Sequence, residues 1–256
     1  MKQLVDFKVV EKRDFGRSVL LRLRAEQPLP EIAPGQFAQV RVDGSPSTYL
    51  RRPISIHDVD FAQNEVSLLV QRVGEGTRHL GDAAVGHLIN IMLPLGKGFT
   101  LPDKGEKVLL VGGGIGIAPL YYFAKVLNDN DICPFLLLGG KTEADLLRLD
   151  DYRQFGETFV TTEDGSLGEK GLVTQHTAFG QSHDAILTCG PTPMMKAVAR
   201  YALQNGIRCQ VSLENTMACG VGACLCCVTK TDHGHRCVCK DGPVFDAKDM
   251  TEWAEK

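Results

Sequence analysis

Cys219, Cys224 and Cys227 stand in a C-x4-C-x2-C arrangement. Thiolates at that spacing hold a 2Fe-2S cluster, with a fourth thiolate arriving later in the chain. Six of the nine cysteines fall between residues 219 and 239. Gly220, Gly222 and Ala223 separate the first two, and small residues let the backbone curl and turn N–H groups toward sulfur, which stabilises a reduced, more negative centre. Cys226 fits the spacing less well than Cys227 and reads as a bystander thiol. Cys237 and Cys239 compete for the fourth place, and spacing does not separate them. A structural zinc site is the bland alternative, but zinc prefers two separated C-x2-C knuckles, whereas here three spaced cysteines crowd into nine residues. Disulfides fit less well still, because nothing marks the chain as secreted.

Four further stretches carry chemistry. Leu50-Arg51-Arg52-Pro53-Ile54-Ser55 is an extended segment fixed by proline, able to lay a guanidinium on a diphosphate. Alternation gives Arg52 and Ile54 one face, Pro53 and Ser55 the other. Val73-Gly74-Glu75-Gly76-Thr77 offers amides and a hydroxyl for a phosphate at the start of a short helix. Gly112-Gly113-Gly114-Ile115-Gly116-Ile117-Ala118-Pro119 is not a true G-x-G-x-x-G, yet its glycines permit close approach of a pyrophosphate and Pro119 suits a first helical turn. Thr188-Cys189-Gly190-Pro191 is a second glycine turn running into a helix. The plain alternatives are an exposed basic strand and ordinary tight turns. Gly140-Lys141-Thr142 lacks the glycine of a phosphate loop, since position 135 is Phe135. The polar loop Glu163 to Gly171 reads equally as a ribose contact or a solvated connection. The seven histidines form no metal pair and read as exposed or satisfied structural residues.

The elements that must position these residues divide the chain. Val5 to Val10, Ser18 to Arg24, Gln36 to Val42, Arg51 to Ile56, Val66 to Val70 and Leu88 to Leu93 read as strands separated by turn residues, predicting an antiparallel β-barrel. From Lys107, apolar runs at 108–111, 132–138, 158–161, 185–188 and 210–213 alternate with helical segments at 118–128, 143–149 and 193–205. That alternation predicts a parallel sheet flanked by helices, with ligands outside the carboxyl ends of the strands. The fold class is α/β multidomain: a barrel over 1–101, a parallel α/β nucleotide-binding domain over 102–212 and a small cluster domain over 213–256. A length of 256 residues accommodates this. A net charge of −3 without a basic run speaks against nucleic acid and anionic membranes. No signal peptide is visible at the N-terminus, and the uncharged run from Val108 to Ala124 is too short and glycine-broken to span a bilayer. A cytoplasmic location is the expectation.

Arg52-Pro53-Ile54-Ser55, Gly76-Thr77, the turn Gly112 to Pro119 and Cys189-Gly190-Pro191 together resemble the ferredoxin–NADP⁺ reductase superfamily. Met217 to Cys224 and Cys239-Lys240-Asp241-Gly242-Pro243-Val244-Phe245 narrow the resemblance to the electron transfer subunits of NAD-dependent dihydroorotate dehydrogenase. The resemblance implies FAD on the barrel, NAD at the α/β crevice and one 2Fe-2S cluster near the C-terminus. It implies flavin contacts from Arg52, Pro53, Ile54 and Ser55, from Leu69, Val70 and Gln71, and from Gly76 and Thr77. It places Gly113, Gly114 and Gly116 at the dinucleotide diphosphate and Cys189 over the nicotinamide, and it selects Cys219, Cys224, Cys227 and Cys239 as cluster ligands. It further implies an FMN-containing catalytic subunit as obligate partner, in a heterotetramer of two of each, with electrons passing through cluster and FAD to NAD⁺ in pyrimidine biosynthesis. The rivals are a reductase of the same layout serving another flavin and iron–sulfur complex, and a zinc-stapled nucleotide-binding protein without turnover.

Overall fold

The computed structural model describes residues 1–250 and Trp253. Six antiparallel strands close a barrel: β1 (Gln3–Asp14), β2 (Ser18–Ala25), β3 (Phe37–Val40), β4 (Arg52–Asp60), β5 (Glu65–Gln71) and β6 (Leu88–Leu95), in the order β1-β2-β5-β4-β3-β6. Helix α1 (Glu75–Asp82) lies between β5 and β6. Alternation sets the barrel core. On β2, Leu21 and Leu23 point inward among Phe7, Ile56, Leu68 and Ile91, while Arg22 and Arg24 point outward. Arg24 there meets the Glu65 carboxylate. A bulge separates Ile56 from Asp58 on β4, leaving His57 as the extra residue. Such a bulge re-aims a side chain out of the ladder, and here it sends His57 toward the second unit.

That unit is built on β7 (Val108–Gly113), β8 (Phe135–Gly140), β9 (Thr158–Thr162), β10 (Glu169–Lys170), β11 (Ala185–Cys189) and β12 (Arg208–Ser212), all parallel, with helices α2 (Ala118–Asp129), α3 (Leu149–Arg153) and α4 (Thr192–Gln204). The cysteine-rich segment adds a hairpin of β13 (Val228–Thr231) and β14 (Gly234–Cys237), a turn of helix α5 (Val238–Asp241) and β15 (Val244–Asp246). Strand β15 pairs antiparallel with β12, so the sheet runs β10-β9-β8-β7-β11-β12-β15. The cysteine segment is thereby stitched to both other parts. Lys97 N and Gly242 O bond at 2.5 Å, and Leu213 N donates to Pro243 O at 2.9 Å. Strand order reverses between β7 and β11, which makes the carboxyl ends of these two strands the switch point where such sheets take ligands.

Strands β1 and β4 run longer than expected, to Asp14 and Asp60, and two further differences have a clear local cause. Strand β8 begins at Phe135 rather than Ile132, because Pro134 has no N–H to give the ladder. The helix expected over 143–149 is instead a single 3₁₀ turn, Glu143–Asp145, followed by α3. Asp145 takes the amides of Lys141 and Thr142 onto its carboxylate, which closes a short turn in place of a helix. Arg148 then adopts φ 60°, which separates the two pieces. Among the described residues no helix is long and apolar enough to cross a membrane. Of the expected cluster domain, residues 251, 252 and 254–256 lie outside the described residues.

Candidate functional site

The two glycine turns lie against each other. A Cβ on Gly116 would sit 2.4 Å from Gly190 Cα and 2.6 Å from the Cys189 carbonyl oxygen, and one on Gly190 would meet the backbone of Gly113 at 3.0 Å. Only glycine lets the ends of β7 and β11 approach this closely. Gly114, at φ 53°, has open space where a side chain would project. Ile115 of this turn and Ala118 at the start of α2 pack on Leu69 of β5, so the nucleotide turn rests directly on the barrel. Beside them a crevice of about 430 Å³ runs between Phe15, Arg17 and Gln71 of the barrel and Gly114, Lys141 and Thr142 of the sheet.

On the barrel the structure brings Arg52 and Gly76 together. A Cβ on Gly76 would lie 2.8 Å from Arg52 Nε, and Thr48 closes the same spot. The Arg52 guanidinium also donates to Leu50 O at 3.0 Å. Thr77 is spent locally: its hydroxyl accepts from the amides of Val73 and Gly74 and donates to Gly74 O, fixing the first turn of α1. Ile54 leans into the barrel core. On the opposite face Pro53 and Ser55 pair with Gln39 and Phe37 of β3. Leu69 and Val70 are buried, and Gln71 opens into the crevice.

Cys189 ends β11 fully packed, and burial pushes its thiol far above the usual range, with the Glu214 carboxylate adding to the effect. Glu214 itself is raised by desolvation.

The cysteine loop places its sulfurs in two pairs. Cys219 Sγ accepts the amides of Val221, Ala223 and Cys224 at 3.4, 3.3 and 3.4 Å and touches the Cys224 thiol. These contacts, the Val221 amide foremost, bring its thiol down to about 6. The second pair is Cys227 with Cys239: the Cys239 amide donates to Cys227 Sγ at 3.4 Å, and Cys239 Sγ accepts from Gly222 N at 3.1 Å. Cys237 turns aside, its thiol 4.0 Å from Gly222 O, and Cys226 faces Thr216 O from an exposed position. Among the described residues no three or more His, Cys, Asp or Glu gather around one ion-sized point. Two thiolate pairs with amides aimed at sulfur suit a two-iron cluster, one pair to each metal, better than a single tetrahedral zinc.

Comparison with known proteins agrees in outline. Residues 214–251 match the family described as the iron-sulfur cluster binding domain of dihydroorotate dehydrogenase B, and residues 110–200 match the oxidoreductase NAD-binding domain. The chain is 43% identical over 246 residues to the dihydroorotate dehydrogenase B (NAD(+)) electron transfer subunit of Shouchella clausii strain KSM-K16, covering 93% of this chain and 94% of that one. It belongs to the family of dihydroorotate dehydrogenase B (NAD(+)) electron transfer subunits. The relative of the same name from Fusobacterium nucleatum subsp. nucleatum is 41% identical over 226 residues, covering 85% of this chain and 86% of its own. Among solved structures, an NADH-dependent reduced ferredoxin-NADP oxidoreductase superposes with a TM-score of 0.85 at 28% identity, over 97% of this chain and 92% of that one.

Sequence reasoning passed over several residues that hold this family's layout together here. His57 reaches the Ala118 carbonyl, Tyr152 donates to the Ile117 carbonyl at 2.8 Å, and Arg148 joins His57 to Asp151 while lying over the Tyr121 ring. Arg148 is therefore occupied, whereas Lys141 lines the crevice. Gln39, fully buried beneath Gly220, was likewise invisible, because a lone glutamine in a strand carries no spacing signal. The polar loop after β9 is held by Asp164 bonds to Ser166 and by a Ser166 hydroxyl accepting from Glu143 N.

Proposed function

We propose that the chain is the electron transfer subunit of an NAD⁺-dependent dihydroorotate dehydrogenase, passing electrons from a partner catalytic subunit to NAD⁺ in pyrimidine biosynthesis. When bound, FAD exchanges electrons in pairs or singly and the cluster takes them singly, which makes the subunit a converter between the two modes. The protein's own work is placement and field. Cys219, Cys224, Cys227 and Cys239 would hold the cluster, and the amides of Val221, Ala223, Cys224 and Gly222 stabilise negative charge on sulfur. Arg52 and the backbone of the first turn of α1 at Gly76 and Thr77 would meet the flavin diphosphate, while Pro53, Ser55 and Gln71, with the backbone of Ile54, Leu69 and Val70, would contact the rest of the flavin. Gly113, Gly114 and Gly116 take the dinucleotide diphosphate, and Cys189 shapes the nicotinamide seat as a neutral, packed side chain.

The observation that carries this reading is convergence on one barrel. The nucleotide turn rests on Leu69 of β5, and the cysteine loop rests on Gln39 of β3, which pairs with Pro53. Three sites held by adjacent strands of a rigid scaffold suit short electron paths. The division into a barrel over 1–101, a nucleotide unit over 102–212 and a cluster unit over 213–256 follows these roles. We assign the abstraction of a proton from dihydroorotate to the partner. We take the partner to be an FMN-containing catalytic subunit in a complex of two of each. We place the protein in the cytoplasm, whose reducing conditions suit thiolates that hold a cluster.

The test is reconstitution. The purified chain should carry FAD, iron and acid-labile sulfide, and NADH should bleach both chromophores without forming orotate from dihydroorotate. Adding the FMN subunit should restore NAD⁺-dependent orotate formation. Dihydroorotate oxidation by this chain alone would refute the partner assignment, and failure with the FMN subunit would favour a reductase of another complex.

A further inference from the structure

Gln39 is fully buried on β3, and among the described residues neither Oε1 nor Nε2 has a hydrogen-bond partner. Buried side-chain amides without partners are rare, because each costs the desolvation of its polar atoms. Its surroundings are specific. Across the ladder it pairs with Pro53 of β4 on one side and Met92 of β6 on the other. Above it lies Gly220, next to Cys219, at φ 70°. A Cβ there would fall 2.7 Å from Gln39 Cγ and 3.1 Å from Nε2, so the cysteine loop sits directly on this side chain. Nε2 is the side-chain polar atom nearest that position. Gln39 thus spans the strand pair assigned to the flavin and the loop assigned to the cluster.

We propose that Gln39 is the positioning residue of the flavin–cluster junction: its stem seats the 219–224 loop on β3, and its Nε2–H donates a hydrogen bond to the cluster-loaded loop. The inference rests on the cofactor assignment above and deepens it. A donor directed at a cluster's surroundings stabilises the reduced, more negative state. The amide that is unpaired without the cluster gains its partner with it, so Gln39 favours loading as well as reduction.

The decisive variant is Gln39→Met, which keeps length and volume but removes the donor. In the as-purified protein we expect wild-type FAD content and a wild-type rate of flavin reduction by NADH. At matched potential the ratio of reduced to oxidised cluster, followed by electron paramagnetic resonance, should fall about five- to tenfold, tenfold being about 59 mV for one electron. The flavin couple should not move. A wild-type cluster potential and signal in Gln39→Met, or equal shifts in flavin and cluster, would overturn the proposal. If the variant fails to retain iron, the chelator-stripped proteins decide. The proposal requires Gln39→Met to melt above wild type there, since the unpaired amide is gone, and a lower melting point would make Gln39 mere packing. Wild-type protein without iron and sulfide would sink the cofactor reading itself, whereas a loaded wild type with an unchanged variant sinks only the role of Gln39.

Discussion

His57 Nδ1 donates to the Ala118 carbonyl oxygen at 2.8 Å, fastening barrel strand β4 to the first residue of the helix that follows the nucleotide turn. Both ring nitrogens are committed. A carbonyl only accepts, so Nδ1 carries the hydrogen, and a guanidinium only donates, so Nε2 accepts from Arg148. Burial, and after it the Arg148 charge, hold the ring down to about 3. The unfolded chain takes up this proton near pH 6.5 and the folded chain only near 3, so stability is complete above pH 7. It then falls by roughly 1 kcal/mol per pH unit between 6.5 and 3. Replacing His57 by Gln should lower stability at pH 7.5 yet flatten this acid limb, measured by urea unfolding at stepped pH. Parallel curves for the two proteins would contradict the assignment.

Much of this arrangement is legible in the chain, and what is not has a physical reason. The barrel strands announce themselves by alternation, as at Leu21, Arg22, Leu23 and Arg24, and the parallel strands by short apolar runs, those of β7 and β8 ending in glycine. Cysteine spacing reveals a cluster loop because a tight loop dictates both ligand and glycine positions. It does not reveal that Cys239 rather than Cys237 turns inward, since that depends on the turn of α5 after the hairpin. Nor does it reveal β15, three residues whose pairing with β12 is purely tertiary. His57, Arg148, Tyr152 and Gln39 act across units, and contacts between distant segments leave no local periodicity.

The packing of Gly116 on Gly190 makes a sharp prediction. Gly116→Ala drives a methyl into backbone atoms at 2.4 and 2.6 Å, which cannot swing aside as a side chain would. Overpacking of this kind costs about 1–3 kcal/mol. Because the displaced atoms are the two turns assigned to the dinucleotide, NADH-driven flavin reduction should lose at least about tenfold in kcat/KM. Iron content should stay normal. Stopped-flow reduction and iron analysis of the same sample check both statements.

The same logic separates the cysteines. Cys239→Ser should abolish the cluster, because Cys239 faces Cys227 and takes the Gly222 amide. Cys237→Ser and Cys226→Ser should retain full iron and sulfide, their sulfurs being turned toward carbonyls. Metal and sulfide stoichiometry with visible spectra read this directly. A Cys237→Ser protein without a cluster, beside a loaded Cys239→Ser, would reverse the ligand assignment.

Cys189 raises the question of whether it moves a proton. It stands at the end of β11 with Ser212 opposite on β12, and burial, then Glu214, push its thiol far above the physiological range. A thiol so placed neither gives up nor takes a proton between pH 6 and 9, so its role is shape. Cys189→Ala should slow flavin reduction by NADH about tenfold through a misplaced nicotinamide. It should leave the profile of that rate against pH superimposable on the parent after scaling. Loss of a titrating limb in the variant would show proton chemistry at this position, and rapid reduction at the parent rate would remove Cys189 from the nicotinamide seat altogether.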